Sequence, residues 1–329
     1  MGTLDEFRRL GADVRNWGRW GDDDELGTLN FIDAEKVAEA ASLVRHGRVF
    51  ALGVDFSSAG PQGAFAFRQN PVHVMTVDGG DVTTLARYGV GWSRNLAAHQ
   101  LGEFFTDNPF RFNDDMIVMP LQAATQWDAL SHVYYDDLLY NGFPAGSVTS
   151  LGAYHCGIDK VDAKGITSRG VLLDLVAHRG AQTFLEHGTP ITPDELDRVA
   201  ASQGVTVGRG DIVLVRTGWW SRFLSTGDGA ELGAGLDWSC AAWLHDHQVA
   251  AVAADNLMVE DPVSGVEGTY LPMHMLCLRD MGMMLGEYWD FQALAADCAA
   301  DGVYEFQLVA PPLRVTGAVG SPVNPIAIK

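Results

Sequence analysis

The fold is decided by three apolar runs, VLLDLVA at 171–177, IVLVRT at 212–217 and VAAVAAD at 249–255. The second and third are typical of short strands buried in a sheet. Between the first two runs, Thr192-Pro-Asp-Glu195 has the pattern of a capping box with proline at the first helical position, which predicts a helix reaching about Gln203. This alternation of apolar runs and helix signals predicts a mixed α/β core.

The flanking segments extend the same pattern. Asp33 is predicted to cap a helix that Gly47 terminates, and the following RVFALGV at 48–54 is predicted to be a strand. Near the carboxyl terminus, Asp290 is predicted to begin a short helix. After it, VYEFQLVA at 303–310 alternates apolar and polar side chains, as half-buried strands do.

The stretch between Asp55 and Asp115 has clusters of Gly, Pro, Asn and Asp without a regular period, which predicts long loops that could shape a pocket. Neither a repeat nor a sharp change of composition marks a domain boundary. We therefore predict a single domain over residues 1–329.

Composition restricts the class of protein. A formal net charge of −20 and the absence of Lys or Arg runs argue against binding to nucleic acid or to a membrane surface. No apolar run approaches the ~18 residues of a membrane span, and the first residues lack the layout of a secretory signal, so we expect a cytoplasmic protein acting on a small molecule. The cysteines are too far apart for a zinc ribbon or a redox pair, and we expect free buried thiols at Cys156, Cys240, Cys277 and Cys298.

The densest group of polar side chains in an apolar stretch is QAATQWDALSH at 122–132. On an extended segment Gln126 and Asp128 point to the same side, and His132 could join them after a turn. Their amide, carboxylate and imidazole groups are all potential ligands of a divalent cation.

A second pair of candidate ligands lies far downstream, with His274 in LPMHML and Glu287 in MLGE. Folding could bring this pair beside the first group. Spacing alone leaves a metal site and ordinary hydrogen-bonded structural residues as open alternatives.

The stretch QAATQWDALSH resembles the signature H-x-G-T-H-x-D-x-P-x-H of the cyclase family, which bacterial kynurenine formamidases and isatin hydrolases share. Thr125, Asp128 and His132 match that signature. The residues that depart from it are Gln122, Ala124, Gln126 and Leu130. Similarity to the longer members continues through NWGRWGDDDELGTLN, YNG at 140–142, RGVLLD, GDIVLVRTGW, ADN at 254–256 and PPLRVTGAVGSPVNP.

The resemblance implies a swivelling β/β/α cyclase-type fold, with a central mixed sheet and flanking helices. It also implies a homo-oligomer, a dimer or tetramer, in which neighbouring subunits could complete each pocket. The metal ligands that it implies are Gln126, Asp128, His132, His274 and Glu287. The expected cofactor is a divalent manganese or zinc ion, with magnesium as an alternative, because an amide donates less charge than the imidazole it replaces.

The activity implied by the resemblance is attack of metal-bound hydroxide on an amide, formamide or lactone carbonyl of a small cyclic or aromatic substrate, or the reverse ring closure. Such an enzyme would be an amidohydrolase or a lactonase. His132 is the candidate general acid or base, and Glu287 is the second candidate. The alternative hypothesis is a metal-free cyclase or dehydratase, or a binding protein that has lost the metal.

Substrate contacts are predicted at Trp127, His73 and Tyr134. The two aromatic side chains suit an aromatic or heterocyclic substrate, although core packing would also explain them. His73 lies in NPVHVM, which resembles a recurring segment of the family and could line the pocket.

Overall fold

A computed structural model describes residues 2–78, 112–161, 164–263 and 265–329. The helices of these residues are α1 (Leu4–Asp13), α2 (Ala34–Ser42), α3 (Ile158–Val161), α4 (Leu175–His178), α5 (Pro193–Gln203), α6 (Trp219–Thr226), α7 (Cys240–Asp246), α8 (Pro272–His274) and α9 (Gln292–Asp301). Short 3₁₀ turns lie at Gly27–Phe31, Tyr140–Gly142 and Ala145–Ser147, and a π-helical turn, Met275–Met281, continues α8.

The strands of the described chain are β1 (Val49–Ala51), β2 (Val72–Val77), β3 (Asp114–Val118), β4 (Gln126–Asp128), β5 (Val148–Thr149), β6 (Gly152–Ala153), β7 (Thr167–Asp174), β8 (Ile212–Arg216), β9 (Ala251–Ala254), β10 (Met284–Glu287), β11 (Glu305–Val309), β12 (Gly320–Pro322) and β13 (Ile326–Ile328). Most of them form one sheet in the order β1-β13-β11-β7-β8-β9-β10-β4-β12. The pairs from β7 to β10 are parallel and the outer pairs are antiparallel. This large mixed sheet confirms the predicted fold class.

The three apolar runs form the middle of this sheet. In β8 and β9 almost every residue is buried, which explains why both faces of these strands are apolar. The first run divides: VLLD ends β7, and Leu175 then begins α4, where the Asp174 side chain accepts a hydrogen bond from the Ala177 N–H at 3.0 Å. In β11, Phe306 and Leu308 are buried between half-buried neighbours, so its predicted alternation is confirmed.

Two helices begin where they are predicted to begin, but the predicted side-chain cap is present at only one of them. The Asp33 carboxylate accepts a hydrogen bond from the Lys36 N–H at 2.9 Å and begins α2. Helix α5 ends at Gln203 as predicted, yet the predicted capping box at Thr192 is wrong because the Thr192 side chain caps nothing. The Glu195 carboxylate instead pairs with Arg179 at 2.7 Å, since a cation is a stronger partner than a backbone N–H.

Several predicted boundaries move by a few residues. Helix α2 ends with Leu43 as its cap, before Gly47, and β1 occupies only part of 48–54. Asp290, predicted to begin a helix, accepts a hydrogen bond from the Gln292 N–H in the turn that precedes α9. Among the described helices none has the length and apolar character that a bilayer crossing requires.

The region predicted to contain only long loops includes a β-hairpin. Strands β2 and β3 pair in antiparallel register from Val72 opposite Val118. Most of their residues are exposed, so burial imposes no alternating pattern that could reveal the strands in the sequence. The rest of that predicted loop region, residues 79–111, lies outside the described residues. All four cysteines are buried free thiols, as expected.

Candidate metal centre

The site is built where β4 meets β10. These strands are antiparallel, with Gln126 opposite Glu287 and Asp128 opposite Leu285. Side chains two apart on a strand share a face, and directly opposed residues share it too. Gln126, Asp128 and Glu287 therefore project to one side of the sheet, and the Gln126 amide nitrogen donates to Glu287 at 2.7 Å and to Asp128 at 3.3 Å.

Trp127 points to the opposite face of β4. Its side chain is fully buried, its indole N–H donates to the Ala310 carbonyl at 2.9 Å, and its ring meets Trp289 edge to face at 5.0 Å. Gly286 leaves the space that this indole fills, because a Cβ there would lie 2.9 Å from the Trp127 ring. The position favours packing, and Trp127 presents no exposed surface to a substrate in this structure.

His274 reaches the same side of the sheet from α8. Its Nε2 lies 3.3 Å from Glu287 Oε1 and 3.8 Å from Asp128 Oδ2. One ligand atom from each of these side chains lies within 4.8 Å of the other two, and all three residues are buried. The two segments that are far apart in the sequence thus converge as predicted.

Glu260 completes this arrangement, although the sequence analysis did not identify it. Its carboxylate contacts His274 Nδ1 at 2.6 Å and accepts hydrogen bonds from the backbone N–H groups of His274 and Met273 at 2.9 and 3.1 Å. A carboxylate on one ring nitrogen fixes the proton there and directs the other nitrogen toward a metal, a common support of histidine ligands. The pair is fourteen positions apart in the sequence, which is not a spacing that places two residues on one face of a helix or strand, so spacing offers no signal for it.

Unusual backbone conformations lie within three residues of Glu260, His274 and Glu287. Val259, Leu271 and Tyr288 have φ of +58°, +51° and +57°, in the left-handed region that non-glycine residues avoid. Val259 precedes Glu260 and Tyr288 follows Glu287, and such strained residues persist where the surrounding structure holds them. Asn256 holds two of them: its side chain accepts the Val259 N–H at 2.7 Å, and its carbonyl accepts the Tyr288 N–H at 2.9 Å. The motif ADN at 254–256 therefore has a structural role next to the site.

Burial and charge together alter the acidities of the cluster. Burial, with the negative charge of Asp128, raises the pKa of Glu287 to about 7. Burial alone would lower the pKa of His274, but hydrogen bonds to Glu260 and Glu287 outweigh it and raise that pKa to about 10. Without a cation, the cluster therefore holds protons at neutral pH, and a bound cation would displace them.

His132 lies at the edge of this cluster, with its Nε2 3.7 Å from Asp128 Oδ1 and 19% of its side chain exposed. Burial lowers the pKa of His132, while Asp128 acts against that change. The imidazole is therefore predominantly neutral at pH 7 and has a nitrogen that can accept a proton.

The residues present fit a divalent cation. The Asp128 Oδ2 and Gln126 Oε1 atoms are buried and accept no hydrogen bond from the described residues, which is rare for buried polar atoms. Ligand atoms around a shared ion are roughly 3–4 Å apart, a spacing compatible with this cluster. The Gln126 amide could present its oxygen after a half-turn of its terminal torsion. Gln122 is half-buried, and its amide nitrogen packs close to Gly320.

The other predicted substrate contacts are on exposed parts of the chain. His73 lies on the β2–β3 hairpin, where its Nε2 contacts Asp115 at 2.7 Å and more than half of the side chain is exposed. Tyr134 is 44% exposed, two residues after His132. Their substrate roles stay predictions.

Comparisons with known proteins agree with the fold and with the resemblance to the cyclase family. Residues 66–261 match the Cyclase family, described as "Putative cyclase". The crystal structure of a novel cyclase is 39% identical, with a TM-score of 0.82 over 96% of this chain and 100% of that chain. An isatin hydrolase bound to the product analogue thioisatinate is 17% identical, with a TM-score of 0.58 over 90% of this chain and 98% of its own. Isatin hydrolase A from Ralstonia solanacearum is 16% identical, with a TM-score of 0.59 over 86% of this chain and 92% of its own.

A comparison with curated protein sequences found no significant match. The family match covers more than half of the chain, and the novel cyclase structure is similar along nearly all of it. The protein belongs to the cyclase family.

Proposed function

We propose that the protein is a metal-dependent hydrolase that cleaves an amide, formamide or lactone bond in a small cyclic or aromatic substrate. The observation that carries the proposal is the buried convergence of Asp128, His274 and Glu287, where Asp128 Oδ2 accepts no hydrogen bond from the described residues and Glu260 lies behind the histidine. Two solved structures that share this fold are hydrolases that act on isatin, and that similarity supports the proposed class of reaction.

In this proposal Asp128, His274 and Glu287 hold one divalent cation, and Gln126 adds its amide oxygen. Two carboxylates and an amide make the ligand set richer in oxygen than in nitrogen, which favours manganese or magnesium and still accommodates zinc. When bound, the cation supplies a nucleophile at neutral pH and polarises the scissile carbonyl.

His132 is the group we assign to proton transfer. Its neutral imidazole can accept a proton from an attacking water and return it to the leaving nitrogen or oxygen. The contact with Asp128 stabilises the imidazolium formed in between, because opposite charges a few ångströms apart attract. The buried cluster limits access of bulk water to the reacting carbonyl, which strengthens these electrostatic interactions.

A second candidate function is a metal-free cyclase or dehydratase. The observation in its favour is the Gln126 amide, which donates to both carboxylates and so partly satisfies them without a cation. In that case His132 and Glu287 would act as acid and base, with a pKa of about 7 suiting Glu287 to either role.

Metal analysis discriminates the two. The metal-dependent hydrolase is expected to copurify with about one divalent ion per chain and to lose turnover in a strong chelator, with recovery on adding manganese. Asp128→Asn is expected to lose the ion and to reduce turnover by about 100-fold or more. The matched control is Asp246→Asn, at an exposed aspartate on α7. Full turnover in chelator, with no ion detected, would favour the metal-free enzyme.

A further inference from the structure

Arg68 differs from the other arginines that are at least partly buried in the described chain. Each of those is ion-paired with a carboxylate, and they are Arg48, Arg169, Arg179, Arg216, Arg222 and Arg279. Arg68 is half-buried, yet within the described residues no carboxylate oxygen lies within ion-pair distance of its guanidinium. A charge that is partly removed from water and lacks a partner is costly unless something else binds it.

The segment that carries Arg68 is attached to the metal centre. The Val54 N–H donates to the Thr125 hydroxyl at 2.8 Å, and the Gln62 amide donates to the Ala123 carbonyl at 2.8 Å. Both acceptors lie within three residues before Gln126 in the chain. The loop from 54 to 70 therefore lies against the strand that supplies the ligands.

Packing places the segment that carries Arg68 next to the site. Phe65 packs against the apolar cluster that contains Ala124 and Tyr288, the residue after Glu287. The Arg68 N–H donates to the Phe65 carbonyl at 3.2 Å, and its guanidinium lies 5.8 Å from the Phe65 ring centroid.

The aromatic neighbours leave the guanidinium available. Phe65 and Phe67 stack on each other at 5.4 Å, and Phe67 is 77% exposed. The guanidinium lies 5.8 and 5.7 Å from their centroids, near the ~6 Å limit for a cation–π interaction. These rings would flank a planar ligand without competing strongly for the charge.

We propose that Arg68 binds a carboxylate of the substrate, so that the site acts on an amide, formamide or lactone that carries an anionic group. The second half of this statement rests on the proposed function. The planar guanidinium matches a carboxylate with two parallel hydrogen bonds. In a chain with a net charge of −20, an anionic substrate needs such a local cation to overcome the average repulsion.

A binding experiment tests the arginine without requiring turnover. Benzoate and benzamide have nearly the same shape and differ in charge, and their affinities for the chelated full-length protein can be measured by titration calorimetry. Chelation prevents the carboxylate from binding a metal ion. Arg68→Gln is expected to weaken benzoate binding about 10- to 100-fold and to leave benzamide unchanged. Arg68→Lys keeps the charge but loses the planar guanidinium that makes two parallel hydrogen bonds. Its affinity for benzoate should lie between those of the wild type and Arg68→Gln.

Arg198→Gln, at an exposed arginine of α5, is the matched control and should bind benzoate as the wild type does. Thermal melts of each variant establish that it is folded. Equal benzoate affinity in wild type and Arg68→Gln overturns the proposal, and so does a wild type that binds benzoate no better than benzamide.

A turnover experiment separates this inference from the proposed function. N-formylanthranilate and its methyl ester present the same formamide with and without a carboxylate to the manganese-loaded enzyme. Arg68→Gln should lower kcat/KM about 10- to 100-fold for the acid, mainly by raising KM, and leave the ester unchanged. Equal losses on both substrates overturn the carboxylate assignment. If the wild type cleaves neither substrate, the result counts against the proposed function, and benzoate binding still decides the role of Arg68.

Discussion

Replacing Glu260 by glutamine tests whether this carboxylate tunes His274 as the proposed metal ligand or only stabilises the fold. In the structure the carboxylate accepts from His274 Nδ1 and from two backbone N–H groups. Glutamine keeps one acceptor oxygen and replaces the other with an NH₂ group, so whichever way it turns it faces at least one N–H donor. It also removes the negative charge that supports the His274 imidazole.

The expected magnitude follows from the proton on His274. With a pKa of about 10, His274 must lose a proton before Nε2 can bind a cation at pH 7, which costs about 4 kcal/mol. Wild-type affinity for manganese should therefore rise about tenfold per pH unit from pH 7 to 9. In Glu260→Gln the pKa of His274 falls, so this rise should level off at a lower pH.

At high pH the variant should bind manganese about 10- to 100-fold more weakly than the wild type, because the carboxylate no longer increases the basicity of the imidazole. Near pH 7 the two affinities should converge. The pKa of His274 is lower in the variant, so removing its proton costs less free energy there than in the wild type. The assay is competition with a fluorescent chelator across this pH range, with thermal melts at each pH.

The control for this experiment is Glu195→Gln. It removes a buried carboxylate on α5 that pairs with Arg179. Its manganese affinity should follow the wild-type curve. A Glu260→Gln curve that is weaker by the same factor at every pH would refute the reasoning, because a bracing role would lower the affinity without changing its pH dependence.

Further predictions concern packing, pH and the altered signature. Gly286→Ala would place a Cβ 2.6 Å from the Ala253 Cβ and 2.9 Å from the Trp127 ring. We therefore expect the free energy of unfolding, measured with urea, to fall by about 1–3 kcal/mol. An unchanged midpoint of the urea transition would contradict this expectation. The folded-state pKa of Glu287, about 7, exceeds its ordinary value of 4.5, so the chelated protein should lose stability as the pH rises from 4.5 to 7, on the order of 2 kcal/mol. Melts of Glu287→Gln, which cannot titrate there, should lack this part of the slope. Gln126→His restores the second histidine of the signature and should tighten zinc binding about tenfold or more, measured by competition; weaker zinc binding would show that Gln126 is better placed than an imidazole.

The parts of the fold that the sequence predicts are those in which burial imposes a pattern. β8 and β9 are central strands covered on both faces, so their residues must be apolar, and the run can be recognised without knowing the partners. β12 and β13 give no such signal, because they are three residues long and their pairing with β4 and β11 is set by distant segments.

The residues of the site also fall into those that the sequence could predict and those that it could not. Asp128 and Gln126 could be placed on one face from their spacing alone, since two residues on a strand always share a face. Glu260 and Arg68 could not be assigned to the site, because no spacing or periodicity in the sequence relates either of them to these residues. Trp127 illustrates the opposite case: it is adjacent to two candidate ligands in the sequence and faces away from them, because alternation on a strand separates neighbours.

The two glutamines of the signature have different surroundings in the structure, and their expected effects on the site differ accordingly. Gln126 lies in the cluster, and its amide contacts the carboxylates of Asp128 and Glu287, so exchange of histidine for glutamine there changes the ligand set directly. Gln122 is half-buried beside Gly320, where a Cβ would approach its amide nitrogen to 2.5 Å. Its side chain is thus confined by the neighbouring strand β12, outside the group of Asp128, His274 and Glu287 that can share one cation. In the proposed site we therefore expect one bound ion per chain, because Asp128, His274 and Glu287 can share a single cation position.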